Sequence, residues 1–252
     1  MTTQSSTSLW RMPESTAADQ AQIVPLVQDL HHQLRAIAQS AKRVALANSL
    51  AVEDMVLSHA IAELGLSNIE VFVLETGKLH TETLAYLEQV KQHYPRLTIA
   101  VYKPLPAELK QFEAQHEFIN IYQSLDTRKA CCYSRKIEPL KRALHGYDAW
   151  ITGQRREQSN TRSALAYEEF DSAHQMPKFN PLADWSQQQV WAYIQQHRIP
   201  VNPLYQQGVP SIGCEPCTRP IRSHEDLRAG RWWWENSNSK ECGLHTIHKI
   251  DG

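Results

Sequence analysis

Apolar residues recur along this chain at two periods that alternate, and the alternation predicts its elements. From Ile23 to Ile37 they return at helical spacing, which predicts a first helix. Lys42 to Asn48 (KRVALAN) is a short apolar run closed by turn-formers, so a buried strand follows. Glu53 to Leu64 reads as a helix stopped by Gly65, and Glu70 to Leu74 as a second strand leading into ETGKLH. Leu84, Leu87, Val90 and Tyr94 form a helical stripe, and Leu97 to Tyr102 a third strand. Lys136 to Leu144 predicts a short helix, and Ala149 to Thr152 a fourth strand. Ser186 to His197 predicts a helix, with Ser186 and Gln189 spaced as a capping box.

This order of strand and helix predicts an α/β fold whose parallel sheet is covered on both faces. In such sheets ligands bind beyond the carboxyl ends of the strands. Three loops leave those ends: Ser49 to Asp54, Glu75 to His80, and Gly153 to Arg162. They are expected to meet at one crevice. Residues 1–20 read as a disordered or loosely packed lead-in and residues 21–200 as the α/β domain. Residues 201–252, rich in Pro, Trp and Arg with little periodicity, read as a loop-rich tail of that domain. No internal repeat is visible.

The 252 residues suffice for a sizeable core without covalent staples. A net charge of −1 argues against a broad nucleic-acid footprint, so anion binding should be local. No stretch is apolar enough to cross a membrane, and the N-terminus lacks the basic and apolar regions of a secretion signal. A cytoplasmic location follows as the expectation, where thiols stay reduced. That turns attention from disulfides to metal binding and thiol chemistry.

The five cysteines then divide four and one. Cys131 and Cys132 stand together in KACCYSRK, Cys214 and Cys217 in GCEPC, and Cys242 alone in KECGLH. Two distant pairs suggest a four-thiolate zinc or iron–sulfur site. A zinc ion needs four sulfurs at about 2.3 Å from one point. Neighbouring Cα atoms are about 3.8 Å apart and their side chains diverge, so a tandem pair suits the separate irons of a [4Fe–4S] cluster better. The plain alternative is buried packing cysteines. Cys242, near the C-terminus and beside Lys240 and His245, has the setting of a mobile nucleophile. An incidental surface cysteine is the alternative.

Basic residues cluster in three places. GQRREQSNTR brings Arg155, Arg156 and Arg162 after the fourth strand. Arg228 and Arg231 in LRAGRWWW share a face if that stretch is helical, and Lys136 follows Cys132 by one helical turn. The guanidinium fork suits phosphate or sulfate oxygens, although any one of these residues alone could be a solvated surface charge. Trp232, Trp233 and Trp234 are expected to pack the tail. The twelve histidines show no ligand spacing such as HExxH.

The motifs LETGKLHTET, CCYSRKIEPLKRAL, WITGQRREQSNTR, FNPLADW, PVNPLYQQGVPSIGCEPCTRPI, RAGRWWWE and KECGLH, in this order, resemble the assimilatory adenylyl-sulfate (APS) reductases. The resemblance runs from about Val44 to His245. It implies an adenine nucleotide α-hydrolase-like fold with a mostly parallel five-stranded sheet, a [4Fe–4S] cluster on Cys131, Cys132, Cys214 and Cys217, and thioredoxin as reductant. It implies reduction of APS to sulfite and AMP, in sulfate assimilation and cysteine biosynthesis, through an S-sulfonate on Cys242. Lys136, Arg162, Arg228 and Arg231 would hold the phosphosulfate, and His245 would orient the tail or the substrate. Ser49 or its neighbours would meet the substrate, with adenosine against the backbone of the loops near Thr76, Gly77 and Gly153. One departure stands out. The family's loop after the first strand resembles SGAED, whereas Ser49-Leu50-Ala51-Val52-Glu53-Asp54 has no glycine, which disfavours a nest of backbone donors around a pyrophosphate.

Rival readings are a reductase of the 3′-phosphorylated substrate (PAPS), which often lacks both cysteine pairs, or an enzyme accepting both substrates. An ATP-using tRNA thiolation enzyme of the same superfamily should carry SGGxDS, which is absent. A non-enzymatic zinc module would need no Cys242. Neither nucleic acid nor membrane is an expected partner, and the exposed tail and tryptophans permit self-association without demanding it.

Overall fold

The protein, as a computed structural model, is described for residues 8–159 and 162–235. Helix α1 (Ala17–Ser40) is opened by a capping box between Thr16 and Asp19, and buries Ile23, Leu30, Leu34 and Ile37 along one stripe. Strand β1 (Val44–Ala47) leads into α2 (Val52–Leu64), which stops at Gly65 in the left-handed conformation, φ 64°. Then come β2 (Ile69–Leu74), α3 (Thr81–His93), β3 (Ile99–Tyr102) and α4 (Pro106–Gln115). Next is α5 (Leu125–Cys132), joined through a π-helical turn, Tyr133–Ile137, to α6 (Glu138–Leu144). Strand β4 (Ala149–Ile151), β5 (Glu168–Asp171), β6 (Met176–Phe179) and α7 (Gln187–Gln196) complete the elements.

The expected α/β architecture is present, with one correction. The sheet has six strands, ordered β3-β2-β1-β4-β6-β5, not five. The first five in that order run parallel, and β5 pairs antiparallel with β6, Glu168 opposite Phe179. The addition is an edge hairpin. It hides from hydrophobic patterning because its outer strand, EEFD, is mostly polar and leaves Phe170 exposed. Two further helices, α4 and α5, were not legible either: α4 buries only Phe112. The helix expected over Lys136–Leu144 is α6 from Glu138, which the π-helical turn joins to α5, so the tandem cysteines stand at the end of α5.

Strand β1, flanked by β2 and β4, buries Val44, Ala45 and Leu46 completely. The chain reverses direction across the sheet there, which opens a crevice between the loops leaving β1 and β4. The expected lead-in is shorter than residues 1–20. Trp10 packs on Trp191 and Tyr205, its N–H bonds to the Ile221 carbonyl, and residues 17–20 already belong to α1. The loop-rich segment after Val201 closes back on the body of the fold. Tyr205 Oη accepts the N–H of Val52 at the start of α2, 3.0 Å away. Among the described residues, no helix is long and apolar enough to cross a membrane.

Candidate active site

The loops after β1, β2 and β4 converge, as their positions predict, on one cavity of about 250 Å³. Its floor is apolar, including Phe72, Leu74, Leu140 and Trp150. Its wall is closed by residues 210–214 and 227–232 of the C-terminal segment.

The loop after β1 uses its own donors internally. Without a glycine, the bend is made by Leu50 at φ 64°, with its side chain buried. The Leu50 N–H bonds to Asn48 Oδ1 at 2.6 Å, and the Ser49 N–H to Asp54 Oδ2 at 2.7 Å. With the Val52 N–H on Tyr205, little of this loop is left to cradle a pyrophosphate. Ser49 lines the cavity, but its hydroxyl donates to Asp54 at 2.6 Å. Burial pushes the Asp54 carboxyl up to about 6, against the hydrogen bonds from Ser49 and the Gly153 backbone that favour its anion. A Cβ on Gly153 would sit 2.3 Å from Asp54 Oδ1, so this position needs glycine for close packing of two loops.

Glu53 and Arg155 form a buried pair across the same junction, at 2.9 and 3.1 Å, with side chains 12 % and 3 % exposed. Arg155 also bonds to Glu157 and the Trp185 carbonyl. It is a strut between α2 and the loop after β4, and Arg156 is likewise turned to the Leu165 carbonyl and Asp184. Removing Glu53 leaves the Arg155 guanidinium with Glu157 and the Trp185 carbonyl as partners. Glu53→Ala is therefore expected to lower stability by about 1.5–3 kcal/mol in guanidinium unfolding. A cost below about 1 kcal/mol would mean that solvent screens the pair.

The remaining cations gather on one side. Lys136 from the π-helical turn, Arg162, Arg228 and Arg231 all line the cavity. Arg228 and Arg231 meet through a turn, with the Arg231 N–H on the Arg228 carbonyl at 2.9 Å, and not on a helix as their spacing suggested. The Arg231 guanidinium lies over Gly213, where a Cβ would come within 2.3 Å of it, and donates to the Ile212 carbonyl at 2.8 Å. The cavity contact of Gly213 has no sequence signal apart from its neighbour Cys214.

The four paired cysteines come together beside this cavity. Cys131, Cys132, Cys214 and Cys217 line one smaller, apolar space with Phe118, Ile121 and Trp232. All are free thiols, and all but Cys131 are buried. Burial pushes the Cys217 thiol up to about 12, and the other cysteines add to it. Cys131 and Cys132 come from the end of α5, and Cys214 and Cys217 from either end of a short turn over Glu215–Cys217. Arg135 and Trp232 line the same space, and Arg135 Nε and Trp232 Nε1 are buried donors without a hydrogen-bond partner.

Thr76 lies between the two spaces. Its hydroxyl contacts Cys214 Sγ at 3.2 Å and its carbonyl accepts from Arg135, so it supports the cysteines while lining the main cavity. Gly77 does not line the cavity. Trp232 is buried between the guanidinium groups of Arg128 and Arg231, 4.9 and 4.6 Å from its ring, as a packing residue. Arg128 in turn grips Glu235 through two bonds of 2.7 and 2.8 Å. The two lie 107 residues apart, and nothing in the sequence announced the pair. Cys242 and His245 lie outside the described residues.

The sequence profile of the phosphoadenosine phosphosulfate reductase domain matches residues 43–220. Among curated proteins, an adenosine 5′-phosphosulfate reductase of Neisseria meningitidis serogroup A is 46 % identical over 238 residues, covering 94 % of this chain and 97 % of that protein. One of Allochromatium vinosum is 52 % identical over 202 residues, covering 80 % and 78 %. Among solved structures, a phosphoadenylyl-sulfate reductase from Candida auris, in a phosphate complex, superposes with a TM-score of 0.65 at 23 % identity, covering 82 % of this chain and 99 % of that one. That last likeness speaks for the fold.

Proposed function

This chain belongs to the phosphoadenosine phosphosulfate reductase domain family, and from that membership we propose that it reduces adenosine 5′-phosphosulfate to sulfite and AMP in sulfate assimilation. The observation that carries the reading is the basic wall of Lys136, Arg162, Arg228 and Arg231 on an otherwise largely apolar cavity. A phosphosulfate offers two adjacent anionic groups to such a wall, and its adenine offers a flat apolar face to the floor. The self-satisfied loop after β1 supports a ligand without a polyphosphate.

Cys242 is the nucleophile in this reading. Glu235 is held beside the cavity wall by Arg128, and Cys242 follows it by seven residues, a reach of at most about 25 Å. Its thiolate attacks the sulfur of the sulfate. A sulfur–sulfur bond forms, the bond from sulfur to the bridging oxygen breaks, and AMP leaves with that oxygen and its electron pair. The basic wall stabilises the charge arriving on the phosphate. The product on the chain is a Cys242 S-sulfonate. A thioredoxin thiolate then attacks the Cys242 sulfur and expels sulfite, and the second thioredoxin thiol resolves the mixed disulfide. The dithiol thereby supplies both electrons and ends as a disulfide. His245 orients the tail or the substrate.

Cys131, Cys132, Cys214 and Cys217 would hold a [4Fe–4S] cluster. Four thiols lining one apolar space, two of them adjacent at one helix end, and buried N–H donors of residues beside it support that fit. When bound, the cluster supplies sulfur acceptors and a fixed charge next to Lys136, whose backbone it would hold steady through the adjoining tandem pair.

The two cysteine pairs, and relatives bearing the name adenosine 5′-phosphosulfate reductase, favour APS over its 3′-phosphorylated analogue. With thioredoxin as reductant, kcat/KM for sulfite release is expected to be at least about tenfold higher with APS, or about 1.4 kcal/mol of discrimination. Equal or reversed preference would overturn the assignment of substrate.

A further inference from the structure

A second cluster of ligand-type side chains lies away from the cavity, on the helices behind it. His59 and Glu63 are one turn apart on α2, and His197 caps the end of α7. Their ligating atoms all lie within 4.8 Å of one another, and none of the three lines the active-site cavity. His59 Nε2 is 3.2 Å from His197 Nδ1 and 3.9 Å from Glu63 Oε2.

Around a tetrahedral ion with bonds of about 2.0–2.1 Å, ligand atoms stand about 3.3 Å apart. The nitrogen pair already has that separation, and the Glu63 side chain, about half exposed, is free enough to close the other. His31 on α1 brings a further nitrogen. Its Nε2 is buried, has no hydrogen-bond partner, and stands 3.7 Å from the same Glu63 oxygen. The far side of His59 is fixed as metal-bound imidazoles are, with Nδ1 on the Tyr94 hydroxyl at 3.3 Å.

We propose that His59, Glu63 and His197 form a binding site for a divalent zinc-type ion, with His31 or water as the fourth donor, that ties α1, α2 and α7 together. Burial holds the His59 and His197 rings below the ordinary histidine range, so both present neutral lone pairs. A glutamate with imidazoles suits zinc rather than magnesium or calcium.

Zinc titration by calorimetry, on cluster-loaded protein freed of loose metal by chelator and desalting, tests this. One saturable zinc site per chain is expected. Glu63→Gln and His197→Gln should each weaken it at least tenfold, while sulfite formation from APS stays unchanged. Zinc should also raise the thermal midpoint of the unaltered chain and not of the variants. Absence of saturable binding, or binding unchanged in both variants, would overturn the proposal. If His197→Gln fails to fold, Glu63→Gln, at a half-exposed carboxylate, decides alone.

Discussion

A Cys242→Ser chain is expected to form sulfite from APS at least about 10⁴-fold more slowly than the unaltered chain, because loss of a covalent nucleophile removes the whole reaction path. Its iron and acid-labile sulfide should stay unchanged, since the ligand cysteines are elsewhere. Mass spectrometry of the unaltered chain incubated with APS and no reductant should find one sulfonate per chain, on the peptide holding Cys242. The serine variant should have none. Sulfite release at an undiminished rate by Cys242→Ser would sink the nucleophile assignment. Release of the sulfonate by thioredoxin, with recovery of the free thiol, tests the second displacement separately.

Cys217→Ser should be damaging in another way. Its thiol shares one space with three other sulfurs, and Arg135 and Trp232, each with a buried unpartnered N–H, line that space. A hydroxyl there cannot ligate iron as a thiolate does. Most of the iron and sulfide should be lost, with a fall in sulfite formation of about 10²-fold or more. The coupling to activity runs through neighbours. Lys136 sits in the π-helical turn directly after Cys132, and Arg231 shares Trp232 with Arg128. Iron and sulfide in equal amounts in the unaltered chain would support the cluster. One zinc per chain on these cysteines, with no iron, would replace it.

The parts read from the sequence and the parts missed differ for a physical reason. Strands β1, β2 and β4 are buried on both faces, so their apolar runs are short and unbroken. Helix α7 has an apolar stripe and its own capping box. The edge hairpin carries no such mark: its turn is made by Gln175 at φ 56° and its outer strand is mostly polar. The loop after β1 looked unlike a phosphate cradle for want of glycine. Its geometry agrees, since Leu50 takes the left-handed bend and Asn48 and Asp54 consume the donors.

The same division holds within the active site. Lys136, Arg162, Arg228 and Arg231 could be chosen from the sequence because each stands in a motif, and all four line the cavity. Glu53–Arg155 and Arg128–Glu235 could not, because each joins residues more than a hundred positions apart. The contact of the Thr76 hydroxyl with Cys214 joins residues 138 positions apart and likewise had no sequence signal. Of the other cluster only His59 and Glu63, one turn apart on α2, share a local spacing; His31 and His197 come from other helices.

By itself, then, the sequence determined the α/β class, the converging strand-end loops, the basic residues that line the cavity, and the family. Those are properties of local periodicity and of short motifs, in which cause and effect lie within a few residues. The tertiary structure alone decided which arginines are struts and which line the cavity, that the two cysteine pairs share one space, and that histidines from separate helices share one corner. Such facts depend on distances between segments far apart in the chain, and packing sets those distances.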